Sequence, residues 1–99
     1  MRIEIDSDRY PTPESVQKLE DWEGELSEIP AVLGAIADYF ERSGYGRATR
    51  RGRTWRFATG GWSGCEEVIG AIPHFVRMVA WESTHRGGVH VYRMPEIKK

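Results

Sequence analysis

The alternation of apolar and polar residues changes period several times along this chain. Arg2-Ile3-Glu4-Ile5-Asp6 alternates strictly, which predicts a strand with Ile3 and Ile5 facing inward. Thr12-Pro13-Glu14 reads as a helix start. The threonine side chain can cap, and proline is tolerated at the first helical position, where its missing N–H would be unpaired anyway. This helix is expected to reach about Glu23, with Val16, Leu19 and Trp22 on one face, before Gly24 ends it. Ser27 is the expected cap of a second helix, with Pro30 in its first turn. There Ile29, Val32, Leu33, Ile36, Tyr39 and Phe40 recur at helical spacing and form the clearest amphipathic stripe in the chain. Gly44 closes it in the left-handed conformation that glycine adopts cheaply.

The second half punctuates differently. Residues 45–52 are rich in glycine and arginine and predict a loop or a frayed strand. Residues 53–59 predict a strand with Arg51, Arg53, Trp55 and Phe57 sharing one face. After a glycine-rich turn, Ser63 and Glu66 have the spacing of a capping box, opening a short helix with Val68, Ile69 and Ile72 toward the core. Pro73 should stop that helix. Residues 75–82 could continue as a kinked helix. A strand is preferred, because Phe75, Val76, Val79 and Trp81 favour extended backbone. Ser83 to Gly88 reads as a turn, and Val89 to Met94 as the returning strand, ended by Pro95; Lys98 and Lys99 are expected to be mobile. The predicted order is β, α, α, β, α, β, β over a single domain, residues 1–99. It implies an α+β fold: a small mostly antiparallel sheet with two to three helices packed on one face.

Charge adds a second pattern. Residues 1–45 carry 11 Asp and Glu against 4 Lys and Arg, and residues 46–99 carry 4 against 10. The two halves therefore differ in sign while the whole chain stands at −1. The near-zero total argues against a protein that coats nucleic acid. No stretch reads as a signal peptide or a membrane-spanning run, so a cytoplasmic protein with no membrane partner is expected. Cys65 is the only cysteine, which excludes an internal disulfide and a cysteine-based zinc site. His74, His85 and His90 lack metal-ligand spacing, so neither a metal nor a cofactor is expected.

The candidate ligand site is Thr59, Gly60, Gly61, Trp62, Ser63 and Gly64. Glycines at a strand-to-helix turn expose N–H groups that can cradle a phosphate or carboxylate, Trp62 could stack on a base, and Thr59 and Ser63 could donate hydrogen bonds. The spacing is neither that of a phosphate-binding Walker loop nor that of a dinucleotide fingerprint. The competing reading is a tight turn with Trp62 plugging an apolar gap. Arg47, Arg50, Arg51, Arg53 and Arg56 form a basic cluster around Trp55, a pattern that suits nucleotides or single-stranded nucleic acid, or else a solvated strand face. Arg53 and Arg86 are the arginines expected at the ligand, Arg86 if the Arg86-Gly87-Gly88 turn folds beside the glycine loop. Cys65 lies near a helix start, which lowers a thiol's pKa, yet no arginine closes a phosphatase-type loop after it; no catalytic residue is assigned. Glu66 and Glu67 are accounted for by capping and the helix dipole. Trp22, Trp55 and Trp81 are expected in the core or at an interface, which makes a homo-oligomer the expected assembly.

Thr59-Gly-Gly-Trp-Ser-Gly-Cys-Glu-Glu followed by Ser83-Thr-His-Arg-Gly-Gly-Val-His-Val-Tyr resembles a family of small uncharacterised tailed-phage and prophage proteins with TGGWSGNE-like and SRRGG-like motifs. The likeness covers about residues 53–95. It departs at Cys65, where that family more often has Asn, and at His85, where it more often has Arg. The resemblance implies a phage protein working in the cytoplasm of a bacterial host, and no chemistry of its own. Together these features predict a non-enzymatic protein that binds a phosphate-bearing, nucleotide-type small molecule, such as a sponge that counters host defence signalling. The alternatives are a phage protein that binds and inhibits a host protein, and a small enzyme acting on a nucleotide or phosphoester.

Overall fold

Caps and prolines set the helices. The computed structural model describes residues 1–95, so the expectation for Lys98 and Lys99 falls outside the described residues. Helix α1 spans Pro13–Glu20, with Thr12 as its cap: the Thr12 hydroxyl oxygen accepts the Ser15 backbone N–H at 3.3 Å. A 3-10 turn, Leu26–Glu28, leads into α2, Ile29–Ser43. Ser27 lies inside this turn and does not cap. Glu25 and Glu28 cap each other's backbone N–H instead, so the entry to the helix is acidic rather than hydroxyl-capped. Along α2, Ile29, Val32, Leu33, Ile36, Tyr39 and Phe40 are all buried, and Gly44 ends the helix at φ +75°.

The sheet has four strands: β1 (Arg47–Arg51), β2 (Thr54–Ala58), β3 (Trp81–His85) and β4 (Val89–Arg93), in the order β1-β2-β4-β3 with every neighbour antiparallel. Between β2 and β3 the chain forms α3 (Ser63–Gly70) and α4 (His74–Ala80). Trp55, Phe57 and Tyr92 point from the sheet into one core with Leu33, Ile36 and Phe40 of α2, Val68 and Ile69 of α3, and Val76 of α4. The protein is therefore α+β, with an antiparallel sheet and helices packed on it, as the periodicities predict. Among the described residues the α-helices number four. Among the described residues no helix is long and apolar enough to cross a membrane.

Three predicted elements differ. Residues 2–6 form no strand: Ile5 makes a single bridge to Pro11, closing a loop in which the Asp6 carboxylate accepts the N–H of Asp8 and of Tyr10. Ile3 is still buried, but that segment pairs with its own return rather than with the sheet. Residues 47–51, read as loop or frayed strand, are an edge strand whose one inward apolar residue is Ala48. Of residues 75–82, read as strand, only Trp81 and Glu82 are extended; His74–Ala80 is helical. Pro73 interrupts α3 and precedes a helix in which Val76 and Ala80, one turn apart, are both buried. The Arg77 guanidinium donates back to the carbonyls of Ile69 and Ile72, satisfying the end of α3 and tying the two helices together. That packing overrides the β preference of the side chains. Extended backbone begins only at Trp81, so Ser83, Thr84 and His85 belong to β3 and the turn shrinks to Arg86-Gly87-Gly88.

Candidate functional site

The two motifs meet in space. The Thr59 backbone N–H donates to the Gly88 carbonyl at 3.0 Å, which lays the hairpin turn bearing Arg86 against the glycine loop. The approach is so close that a Cβ on Gly88, which also sits at φ +76°, would lie 2.1 Å from Thr59 Oγ1. Gly60 and Gly61 have φ of +61° and +78° and form a tight turn, closed by the Trp62 N–H donating to the Thr59 carbonyl at 3.0 Å. The Gly61 N–H turns to Thr59 Oγ1 at 3.3 Å. Two of the N–H groups expected to hold an anion are thus spent inside the loop.

Trp62 is occupied as well. Its ring lies 4.5 Å from Tyr10 and 4.4 Å from Tyr45, centroid to centroid, and the Arg9 guanidinium lies over the outer tyrosine, Tyr45. It stands at the N-cap of α3, so Ser63 is the first helical residue and not the cap that its spacing to Glu66 predicts. The Ser63 hydroxyl pairs with the Tyr10 hydroxyl at 2.8 Å. Gly64 is buried beneath both the Trp62 indole and the Tyr39 hydroxyl, each 2.6 Å from where a Cβ would stand. Burial pushes the Tyr39 hydroxyl up to about 12, with the neighbouring Trp62 indole N–H working against it; the group stays protonated and donates to the Arg9 carbonyl at 2.9 Å. The glycine loop is thus the seat on which the N-terminal loop is fastened.

Arg53 is not part of this arrangement. It sits in the β1–β2 turn, at the opposite end of β2 from Thr59, about 20 Å away at the rise of an extended strand. Its guanidinium donates to the Met94 carbonyl at 3.4 Å. Arg51 does not share a face with Trp55 and Phe57, whereas Arg53, opposite Met94, stays on their side of the ladder. The register sets Ala48 beside Phe57 and Arg50 beside Trp55, where the Arg50 guanidinium lies 4.6 Å from the indole centroid. Cys65 is fully buried, 3.8 Å from the Ser43 hydroxyl. Burial raises its thiol pKa, although the Ser43 hydroxyl and the Gly46 N–H act the other way; the position at the helix start does not activate it.

The same register creates a surface that the sequence pattern does not announce. Arg47, Thr49 and Arg51 of β1, Thr54, Arg56 and Ala58 of β2, and Val91 and Arg93 of β4 all lie on the face turned away from the core. All four arginines are exposed. Among the described residues only Arg93 has a carboxylate near, Glu82 at 3.9 Å, and Arg47, Arg51 and Arg56 have none within 4.0 Å. Arg47, Thr49, Arg56 and Ala58 line a crevice of about 220 Å³ on this face, at the glycine-loop end of the sheet. Directly opposed pairs put Arg47 and Arg56 on a diagonal, a separation of about 7–8 Å between backbones. The signal that would have disclosed the face is the period-two spacing Arg47-x-Thr49-x-Arg51, legible once that stretch is taken as a strand.

No family model, curated protein or solved structure matches the chain. Its chemistry is read from its own residues.

Proposed function

We propose that this is a non-enzymatic protein that binds a phosphate-bearing ligand on the open face of its sheet, anchored by Arg47, Thr49 and Arg56. The observation that carries the reading is the pair of guanidiniums, diagonal across β1 and β2, with no carboxylate within 4.0 Å among the described residues. Both side chains line one crevice, so a phosphate seated there would meet two cations and turn their mutual repulsion into two attractions. Guanidinium forks match phosphate oxygens in pairs, and the Thr49 hydroxyl supplies a further donor. Phosphate would then sit beside the glycine loop rather than in it.

Recognition on this face is through phosphate and not through the base. Trp62, the aromatic that suggests base stacking, is flanked by Tyr10 and Tyr45. A sponge for one nucleotide signal would need a contact that reads the base, and among the described residues the arginine face carries no aromatic side chain to stack on one. Affinity should therefore rise with phosphate count and be indifferent to the base. The test is a titration of isotope-labelled protein with pyrophosphate, ATP and GTP at fixed ionic strength, read by amide and arginine side-chain NMR signals. Saturable shifts at Arg47, Thr49 and Arg56, alike for ATP and GTP, are expected. Arg47→Ala with Arg56→Ala should weaken binding about tenfold or more while leaving the melting temperature unchanged. Shifts that track ionic strength alone, or that survive the double substitution, overturn the reading.

A further inference from the structure

A second surface lies on the helical side and has the opposite character. Trp22 follows the end of α1, and its indole lies flat over the backbone of Gly24, where a Cβ would stand 2.3 Å from Trp22 Cζ2. No other residue would let the ring adopt that position without displacement. Facing it from α4 is Phe75, with ring centroids 6.5 Å apart and planes inclined by only 19°. The two rings and Gly24 form one side of a groove of about 530 Å³, and Glu23, Glu25 and Glu28 form the rest. Among the described residues no cationic side chain lines it. Arg77, the arginine nearest in α4, turns away to the carbonyls of α3. Phe75 is 42% exposed, and Met78, its neighbour one turn along the helix, is 73% exposed. The groove thus continues into bare apolar surface.

We infer that this groove is a docking site for an arginine-bearing segment of a partner protein. A flat guanidinium suits near-parallel aromatic planes, which attract a cation through their π faces. Carboxylates at the rim accept its N–H groups and supply charge complementarity where the partner brings positive charge. An apolar residue next to that arginine covers Phe75 and Met78. Arginine fits better than lysine, because a compact ammonium cannot lie flat along the rings. Glu25 and Glu28 also cap the 3-10 turn, which leaves Glu23 the carboxylate free of a structural task.

The probe is the peptide acetyl-Arg-Leu-Leu-amide, with a control in which citrulline, uncharged and of the same shape, replaces arginine. NMR titration should move the Trp22 indole N–H and the Phe75 ring signals saturably with the arginine peptide and not with the citrulline peptide. Glu23→Lys and Phe75→Ala should each weaken binding about tenfold. Both positions are at the surface, and an unchanged melting temperature would show that the fold persists. Equal response to both peptides, or shifts confined to the sheet face, overturn the inference. So does a response of Trp22 to protein concentration alone that Arg50→Glu with Arg51→Glu abolishes, because the occupant would then be the basic hairpin of a second copy.

Discussion

Replacing Gly88 by alanine tests the junction on which the site depends. Two costs arise. The residue stands at φ +76°, a conformation that costs a side-chain-bearing residue about 1–2 kcal/mol. The new Cβ would also come to 2.1 Å from Thr59 Oγ1, well inside contact distance. Thr59 is fully buried, so its hydroxyl can move only by leaving its rotamer and releasing the Gly61 N–H, about 1–2 kcal/mol in all. The expected destabilisation is about 2–4 kcal/mol. Gly87→Ala is the internal control: its φ is +84°, but a Cβ there meets nothing within 4 Å, so only the backbone term of about 1–2 kcal/mol remains. Urea unfolding of the parent, of both variants and of each on a Thr59→Ala background completes the measurement. With the hydroxyl removed, Gly88→Ala should cost about as much as Gly87→Ala. Equal costs on the parent background, or an excess that persists without the hydroxyl, would refute the close approach of the two motifs.

Two further outcomes follow from a half-buried histidine and a buried thiol. His90 lies between Thr84 and the α3–α4 layer, and desolvation, aided by the charge of Arg77 and opposed by that of Glu66, holds its pKa below 6.5. The unfolded chain takes up that proton first on acidification, so stability present above pH 6.5 is lost as pH falls through the folded value. Melting temperatures at about pH 7.5 and 5.5 should therefore differ less in His90→Asn than in the parent, and an equal difference would remove His90 as the cause. Cys65 should resist an aromatic disulfide reagent at neutral pH and react at once in concentrated urea, because its thiol is buried and its pKa raised. Rapid reaction in the folded state would contradict that burial.

Local signals in the chain read true where one residue's own chemistry decides. Thr12 caps α1, the stripe from Ile29 to Phe40 lies in the core, Gly44 takes the left-handed turn, and Trp55 and Phe57 alternate inward, because each depends on neighbours within a turn or two. The capping box at Ser63 is one residue out because Trp62 takes the cap position and Ser63 finds Tyr10. What went unread depended on partners distant in sequence. Tyr10 reaches Trp62 across more than fifty residues, and it turns an expected stacking platform into a fastening. β1 stays open between loop and frayed strand in the sequence because Arg47-Ala-Thr-Arg-Arg has one apolar residue, and only pairing with β2 makes it a full strand. Residues 74–80 are helical because Val76 and Ala80 bury against neighbours that no local preference reveals. The arginine face is the strongest instance. Composition alone establishes that the second half is basic, but which arginines stand together depends on hydrogen-bond register, and a slip of one residue would have sent Arg47 and Arg51 to the core side and Arg50 outward.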